Sequence, residues 1–140
     1  MKSVLITVKT VQKSGDDSEV MELTSEGEYG IKNGNLLITY HDEMMSDEYG
    51  KVNTAIEIDT ENTVTITRTG AYRSKFVLEK GKRHNCAYTT PFGAMTMGFY
   101  GEDVKNELNN TGGNLYVKYT VDVNKSLINQ NEIFVNVRNI

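Results

Sequence analysis

The stretch of sequence that decides the fold is Thr63-Val64-Thr65-Ile66-Thr67-Arg68-Thr69-Gly70. Threonine occupies every second position, and the positions between carry Val64, Ile66 and Arg68. Successive side chains of a β-strand point to opposite faces of its sheet, so this period of two predicts a strand. One face would be buried and the other wet, which is typical of an antiparallel sheet and not of a parallel one.

The same alternation recurs on both sides of this stretch. The chain contains 13 Val, 9 Ile and 15 Thr, which make 37 of its 140 residues, and β-branched side chains pack well on a pleated surface. Turn signals rich in Gly and Asn separate the alternating runs. We predict about ten strands, at roughly 2–13, 18–29, 35–42, 52–60, 63–70, 74–80, 83–90, 94–100, 115–123 and 132–139.

Two segments lack a clear strand pattern. Residues 43–51 are acidic and unpatterned, and we interpret them as a solvated loop. In residues 102–110, Val104 and Leu108 lie four positions apart, which fits either one helical turn or a polar edge strand. These two segments apart, the chain is predicted to be all-β.

Closure into a barrel would remove the exposed edges of so many short strands. Short, regular hairpin turns favour an up-and-down topology, because a sandwich, the alternative architecture, usually needs long crossover connections. We therefore predict one domain over residues 1–140, a single antiparallel up-and-down β-barrel of about 8–10 strands.

Composition excludes several classes of protein. A net charge of −4 argues against a nucleic-acid partner, which would require a basic face. Only four apolar residues lie between Met1 and Lys9, too few for a secretory signal or a membrane span, so no membrane partner is expected. Cys86 is the only cysteine and is expected to stay reduced, so we predict a cytoplasmic protein.

Arg68 is the most informative single residue, because alternation places it on the same face as the apolar Val64 and Ile66. A buried guanidinium has to be paired or hydrogen-bonded. Asp42 could pair with it structurally at one end of the barrel, or its planar donors could hold the carboxylate or phosphate of a small molecule. A third possibility is that the side chain reaches solvent. Tyr40, Tyr88 and Tyr119 alternate with polar residues on the predicted inward faces of their own strands, and their hydroxyls could hydrogen-bond to Arg68.

Other chemistries find little support. His84 and Cys86 share a strand face, but two ligands do not make a metal site. The clustered carboxylates at residues 42–48 lack calcium-loop spacing, and Gly112-Gly113 lacks the context of a phosphate loop. We expect no metal, no cofactor and no catalytic constellation, and therefore no enzyme.

Five segments in order carry a family resemblance: Leu37-Ile38-Thr39-Tyr40, Thr67-Arg68-Thr69-Gly70, Phe76-Val77-Leu78-Glu79-Lys80-Gly81, Tyr88-Thr89-Thr90-Pro91-Phe92-Gly93 with Met95 and Met97, and Tyr119-Thr120-Val121-Asp122-Val123. Together they resemble the YwiB-like family of uncharacterised bacterial proteins, across nearly the whole chain. The resemblance implies a calycin-like, lipocalin-type β-barrel in a cytosolic bacterial protein. It implies no established activity, so no catalytic residue carries over.

Two functions follow as hypotheses. In the first, the barrel is not an enzyme but binds a small lipophilic or anionic molecule, using Arg68, Tyr40, Tyr88 and Tyr119 as polar anchors and Met95, Met97 and Phe76 as apolar lining. In the second, a packed barrel without ligand acts as a protein-interaction or homodimer module through Phe134, Tyr116 and Tyr100, which lie on otherwise polar lanes.

Overall fold

The structure, a computed structural model, describes residues 1–90 and 93–140. Side chains are described for all of these residues except 45, 47, 48, 87–90, 93 and 94. Within these residues, ten strands and one short helix follow each other. They are β1 (Lys2–Ser14), β2 (Asp17–Lys32), β3 (Asn35–His41), α1 (Glu43–Tyr49), β4 (Val52–Ile58), β5 (Val64–Gly70), β6 (Ser74–Leu78), β7 (Arg83–Thr90), β8 (Gly93–Asn109), β9 (Gly112–Val123) and β10 (Ser126–Asn139).

All ten strands belong to one antiparallel sheet in which sequence neighbours are spatial neighbours. The order is β6-β5-β4-β3-β2-β1-β10-β9-β8-β7, so the first and last strands of the chain pair with each other. Val4 lies opposite Asn139 and Val8 opposite Val135 in that central ladder. The predicted up-and-down barrel is therefore confirmed, and in the described part of the chain β6 and β7, the two ends of this order, border an incomplete seam.

The seam between β6 and β7 is bridged at a few points. Residues Glu79 and Lys82 form an isolated bridge, and Lys80 forms another with Gly101 of β8. The Gly81 N–H donates to the Gly101 carbonyl over 2.8 Å, and the Gly101 N–H donates to the Lys82 carbonyl over 3.2 Å. Gly101 allows this approach because a Cβ there would meet the Glu79 carbonyl. These contacts leave the barrel nearly closed.

The prediction of a loop at residues 43–51 is wrong, because Glu43–Tyr49 forms the helix α1. The Ser46 N–H donates to the Asp42 carbonyl over 2.9 Å at its start, and the Gly50 N–H donates to the Ser46 carbonyl over 3.0 Å at its end. Met44 packs against the core. A helix this short, with a single apolar contact identified, carries no period that sequence can reveal.

The ambiguous segment 102–110 is mostly strand, since β8 runs on to Asn109. A register shift between Gly101 and Asp103 reverses which residues face inward, so Val104 and Leu108 both pack against the core. A spacing of four residues is compatible with both a strand and a helix, and therefore could not decide between them. The ladder with β9 decides it.

The barrel interior is filled by apolar side chains in successive registers. On β3, β4, β5 and β6 one register holds Ile38, Ile56, Ile66 and Phe76, and the next holds Leu36, Ile58, Val64 and Leu78. The opposite wall contributes buried residues of β1, β9 and β10, among them Ile6, Val8, Leu115, Val117, Val135 and Val137. Burial of this apolar surface is the main stabilising contribution to the fold.

Candidate functional site

Polar side chains enter the barrel interior at one end of β3, β4, β5 and β6. Tyr40, Thr54, Arg68 and Ser74 occupy a single register across these four strands, directly beside the apolar register of Ile38 and Phe76. Asp42 follows Tyr40 by two residues and is buried. We refer to Tyr40, Asp42, Thr54, Arg68 and Ser74 as the polar cluster.

The Asp42 carboxylate lies at the centre of the polar cluster. Thr54 Oγ1 donates a hydrogen bond of 2.8 Å to Asp42 Oδ2. Arg68 Nε lies 3.8 Å from the same oxygen, which is close enough for an ion pair but too long for a hydrogen bond. The Asp42 side chain is 3% exposed and that of Arg68 is 22% exposed. The guanidinium is therefore neutralised by a buried carboxylate and still reaches the surface.

Two buried polar atoms of the polar cluster lack hydrogen bonds. Within the part of the chain that the structure describes, Arg68 Nε and Ser74 Oγ are buried without a hydrogen-bond partner. Their residues face each other across β5 and β6. A buried donor without an acceptor destabilises a protein by about 1–3 kcal/mol. An acceptor within hydrogen-bond reach of either atom would remove this cost.

An aromatic layer lies directly beneath Arg68. The guanidinium carbon is 5.6 Å from the centre of the Phe76 ring. Phe76 stacks on Phe99 across the seam, with ring centres 4.7 Å apart and an interplanar angle of 11°, and Tyr119 lies 6.1 Å from Phe76. All three rings are buried. This layer closes the interior below the polar cluster and offers Arg68 a flat apolar surface.

The tyrosines around Arg68 are held in their neutral form. Burial raises the pKa of Tyr40, the Asp42 charge adds to the effect, and the Arg68 charge opposes it. Burial likewise raises the pKa of Tyr119 to about 12, again against the Arg68 charge. Burial also raises the pKa of Tyr72, in the turn between β5 and β6. These hydroxyls can donate hydrogen bonds at neutral pH.

The helix α1 is tied to this end of the barrel. Ser46 Oγ donates to the Asp42 carbonyl over 2.7 Å and accepts from the Val52 N–H over 3.0 Å. At the other end of the helix, the Tyr49 ring lies 4.7 Å from that of Tyr72. The helix and the β5–β6 turn therefore border the polar cluster together.

The structure brings together four of the seven residues predicted from sequence to bind a ligand: Arg68, Tyr40, Tyr119 and Phe76. Met97 is half-buried against the core, whereas Met95 is 39% exposed. The Tyr88 side chain lies outside the described residues.

Sequence reasoning missed Thr54 and Ser74. Both occupy inward positions of strands that are otherwise apolar on that face. The signal that singled out Arg68, a polar residue on an apolar lane, was present for both of them.

The residues weighed as metal ligands are engaged elsewhere. His84 Nε2 lies 3.0 Å from Glu79 Oε1 beside the seam, and the Cys86 thiol donates to the Lys75 carbonyl over 2.6 Å. Among the described residues, no group of three or more His, Cys, Asp or Glu side chains is arranged to hold a metal ion. None of the helices in that part of the chain is long and apolar enough to cross a membrane.

The fold and the polar cluster define a nearly closed antiparallel β-barrel protein with a partly buried ion pair at one end. The chain belongs to the family described as a domain of unknown function, DUF1934, which matches residues 6–135. This membership confirms the resemblance to the YwiB-like family, whose function is not known.

Two comparisons with individual proteins agree with that membership. The chain is 23% identical over 120 residues to the uncharacterized beta-barrel protein YwiB of Bacillus subtilis (strain 168), covering 86% of this chain and 82% of that protein. The crystal structure of the ywiB protein from Bacillus subtilis superposes with a TM-score of 0.85 at 20% identity, covering 99% of this chain and 92% of that one. The structural likeness supports the barrel fold.

Proposed function

We propose that this protein binds a small organic anion, without catalysis, at the polar cluster. The observation that carries the proposal is that Arg68 Nε and Ser74 Oγ, from residues paired across β5 and β6, are both buried without a hydrogen-bond partner in the described part of the chain. A carboxylate or phosphate oxygen accepts from both kinds of donor.

Arg68 keeps hydrogen-bonding capacity for a negative ligand, although Asp42 offsets its charge. Asp42 lies 3.8 Å from Arg68 Nε without a hydrogen bond, so the guanidinium keeps donor capacity for a second acceptor. Arginine suits such a site because its planar donors match carboxylate and phosphate geometry.

The packing of the interior favours a small anion over a long lipophilic molecule. Phe76, Phe99 and Tyr119 are buried directly beneath Arg68, and Ile66 fills the next inward position of β5. A ligand would therefore lie at the end of the barrel. Its charge would lie on Arg68, and any flat apolar part would lie against the helix α1 and the β5–β6 turn, which border the polar cluster. The cytoplasm stays the predicted compartment.

Thermal unfolding in the presence of benzoate, of inorganic phosphate and of sodium chloride at matched ionic strength tests the proposal. We expect benzoate or phosphate to raise the Tm in a saturable way, because a ligand that binds only the folded state stabilises it. Arg68→Met should abolish this rise, and Ser74→Ala should weaken it. Arg138→Met, which alters an exposed arginine on β10, is the matched control and should leave it intact. A rise equal to that in sodium chloride, or one that survives in Arg68→Met, would contradict the proposal.

A further inference from the structure

The outer face of the barrel carries an aromatic pair between two lysines. Lys9, Phe134, Tyr116 and Lys105 lie in one register across β1, β10, β9 and β8. Lys9 Nζ is 5.8 Å from the centre of the Phe134 ring, and Lys105 Nζ is 5.7 Å from that of Tyr116. The two ring centres are 5.0 Å apart. This line of four side chains is the centre of a shallow outer groove.

The aromatic pair is only partly covered. Phe134 is 40% exposed on the outer face of the sheet, whereas its sequence neighbours on β10 face the interior and are buried. The Tyr116 hydroxyl donates to Glu132 Oε2 over 2.6 Å, which fixes its ring beside Phe134. Cation–π contacts at exposed sites are weak, so a ligand could displace the Lys9 ammonium from the Phe134 ring face.

Hydrogen-bond donors and acceptors surround the two rings. The groove has a volume of about 830 Å³. In the register next to the aromatic pair, Asn136 Nδ2 donates to Asn114 Oδ1 over 2.9 Å, and Thr7 lies beside Asn136. Three lysines and four carboxylates line the groove, so their charges nearly cancel. Such a face does not suit a nucleic acid, which requires a clear excess of positive charge.

We propose that this outer groove binds a neutral oligosaccharide. The apolar C–H face of a pyranose ring would pack on Phe134, and its hydroxyls would bond to Asn114, Asn136 and the lysine and carboxylate groups around them. Balanced charge, an exposed aromatic surface and paired amides match a ligand that is uncharged, partly apolar and rich in hydroxyls. The outer groove faces away from the barrel interior, so this proposal is independent of anion binding at the polar cluster.

An array of immobilised neutral, acidic and amino-sugar oligosaccharides, probed with the purified full chain, tests the proposal. We expect retention on neutral glycans, and a loss of about tenfold in affinity for them in Phe134→Ala, the size expected for one aromatic contact. Tyr100→Ala is the matched control, since Tyr100 is also an outward aromatic residue, 39% exposed, and does not line the groove. Circular dichroism should show that both variants fold.

Three results would overturn the proposal. The first is failure to bind any neutral glycan, and the second is a preference for acidic glycans. The third is a homodimer in light scattering that Phe134→Ala dissociates, because the same face would then be covered by a second copy of the chain.

Discussion

Arg68 and Ser74 face each other on β5 and β6, and both Arg68 Nε and Ser74 Oγ are buried without a hydrogen-bond partner among the described residues. The neighbouring Thr54 hydroxyl, in the same register, is satisfied by Asp42. Of the two aliphatic hydroxyls on either side of Arg68 in this register, that of Thr54 has a partner and that of Ser74 has none among the described residues. This difference separates the groups that stabilise the fold from those available to a ligand.

The two hydroxyls give the first prediction. Thr54→Val should lower the free energy of unfolding by about 1–3 kcal/mol, because it removes a hydrogen bond from a buried carboxylate. Ser74→Ala should be neutral or slightly stabilising, because it removes a buried hydroxyl that has no partner. Urea unfolding of both variants measures the difference. Equal losses in the two variants would show that Ser74 is satisfied in the folded protein.

The Asp42–Arg68 pair gives the second prediction. Arg68→Met alone should destabilise the protein by about 2–3 kcal/mol, because it leaves the Asp42 carboxylate buried with less compensation. The double variant Arg68→Met with Asp42→Leu should be more stable than the sum of the two single losses indicates. Additive losses in denaturant unfolding would mean that the two charges do not interact across 3.8 Å.

The buried tyrosines give the third prediction, on alkaline stability. The pKa of Tyr119 is raised by burial from 10.0 to about 12, so the unfolded chain loses this proton at lower pH than the folded chain does. The stabilisation is therefore complete below about pH 10 and is lost as the pH rises towards about 12. The pKa of Tyr116 is likewise raised to about 12, chiefly by burial and secondly by the hydrogen bond to Glu132.

Tyrosinate absorbance and urea unfolding across this pH range measure the effect. Tyr119→Phe should reduce the alkaline loss of stability, whereas Tyr100→Phe, which changes an exposed ring, should leave it unchanged. A Tyr119→Phe variant with the same alkaline profile as the unmodified chain would refute the assignment.

A glycine on β8 gives the fourth prediction. Arg83 on β7 reaches across β8 to Asp122 on β9, with Nε 2.9 Å from Oδ2 and Nη2 2.6 Å from Oδ1. A Cβ at Gly98 would meet the Arg83 guanidinium. Gly98→Ala should therefore break this bidentate pair and lower the Tm slightly, as Arg83→Met should.

Because both changes remove the same contact, Gly98→Ala should lower the Tm less in the Arg83→Met background than in the unmodified chain. Calorimetry of the two single variants and the double variant provides the comparison. Full additivity would indicate that Gly98 is required for another reason.

Much of the fold could be predicted from alternation alone, because one wet and one buried face impose a period of two on every strand. The inward position of Arg68 follows from the same period, and Asp42 was one of the partners considered for it. The change in which residues face inward after Gly101 could not be predicted in this way, because a register shift depends on pairing with β9 rather than on local sequence. The helix α1 was missed since it depends on Asp42, Ser46 and the packing of Met44.

The candidate site was predicted less completely than the fold. Alternation identifies which side chains face inward, but only the register between strands shows that Arg68 lies level with Thr54 and Ser74. Likewise, Met95 near the start of β8 is 39% exposed, which the alternation of residues along a strand cannot reveal.

The most direct test of anion binding is the nuclear magnetic resonance signal of the Arg68 Nε–H, assigned by its loss in Arg68→Lys, during a titration with benzoate. We predict a saturable shift of this signal and slower exchange of its proton with water, because the carboxylate would supply the acceptor that Nε lacks. An Arg68 Nε–H signal that stays unchanged up to saturating benzoate would contradict the proposed function.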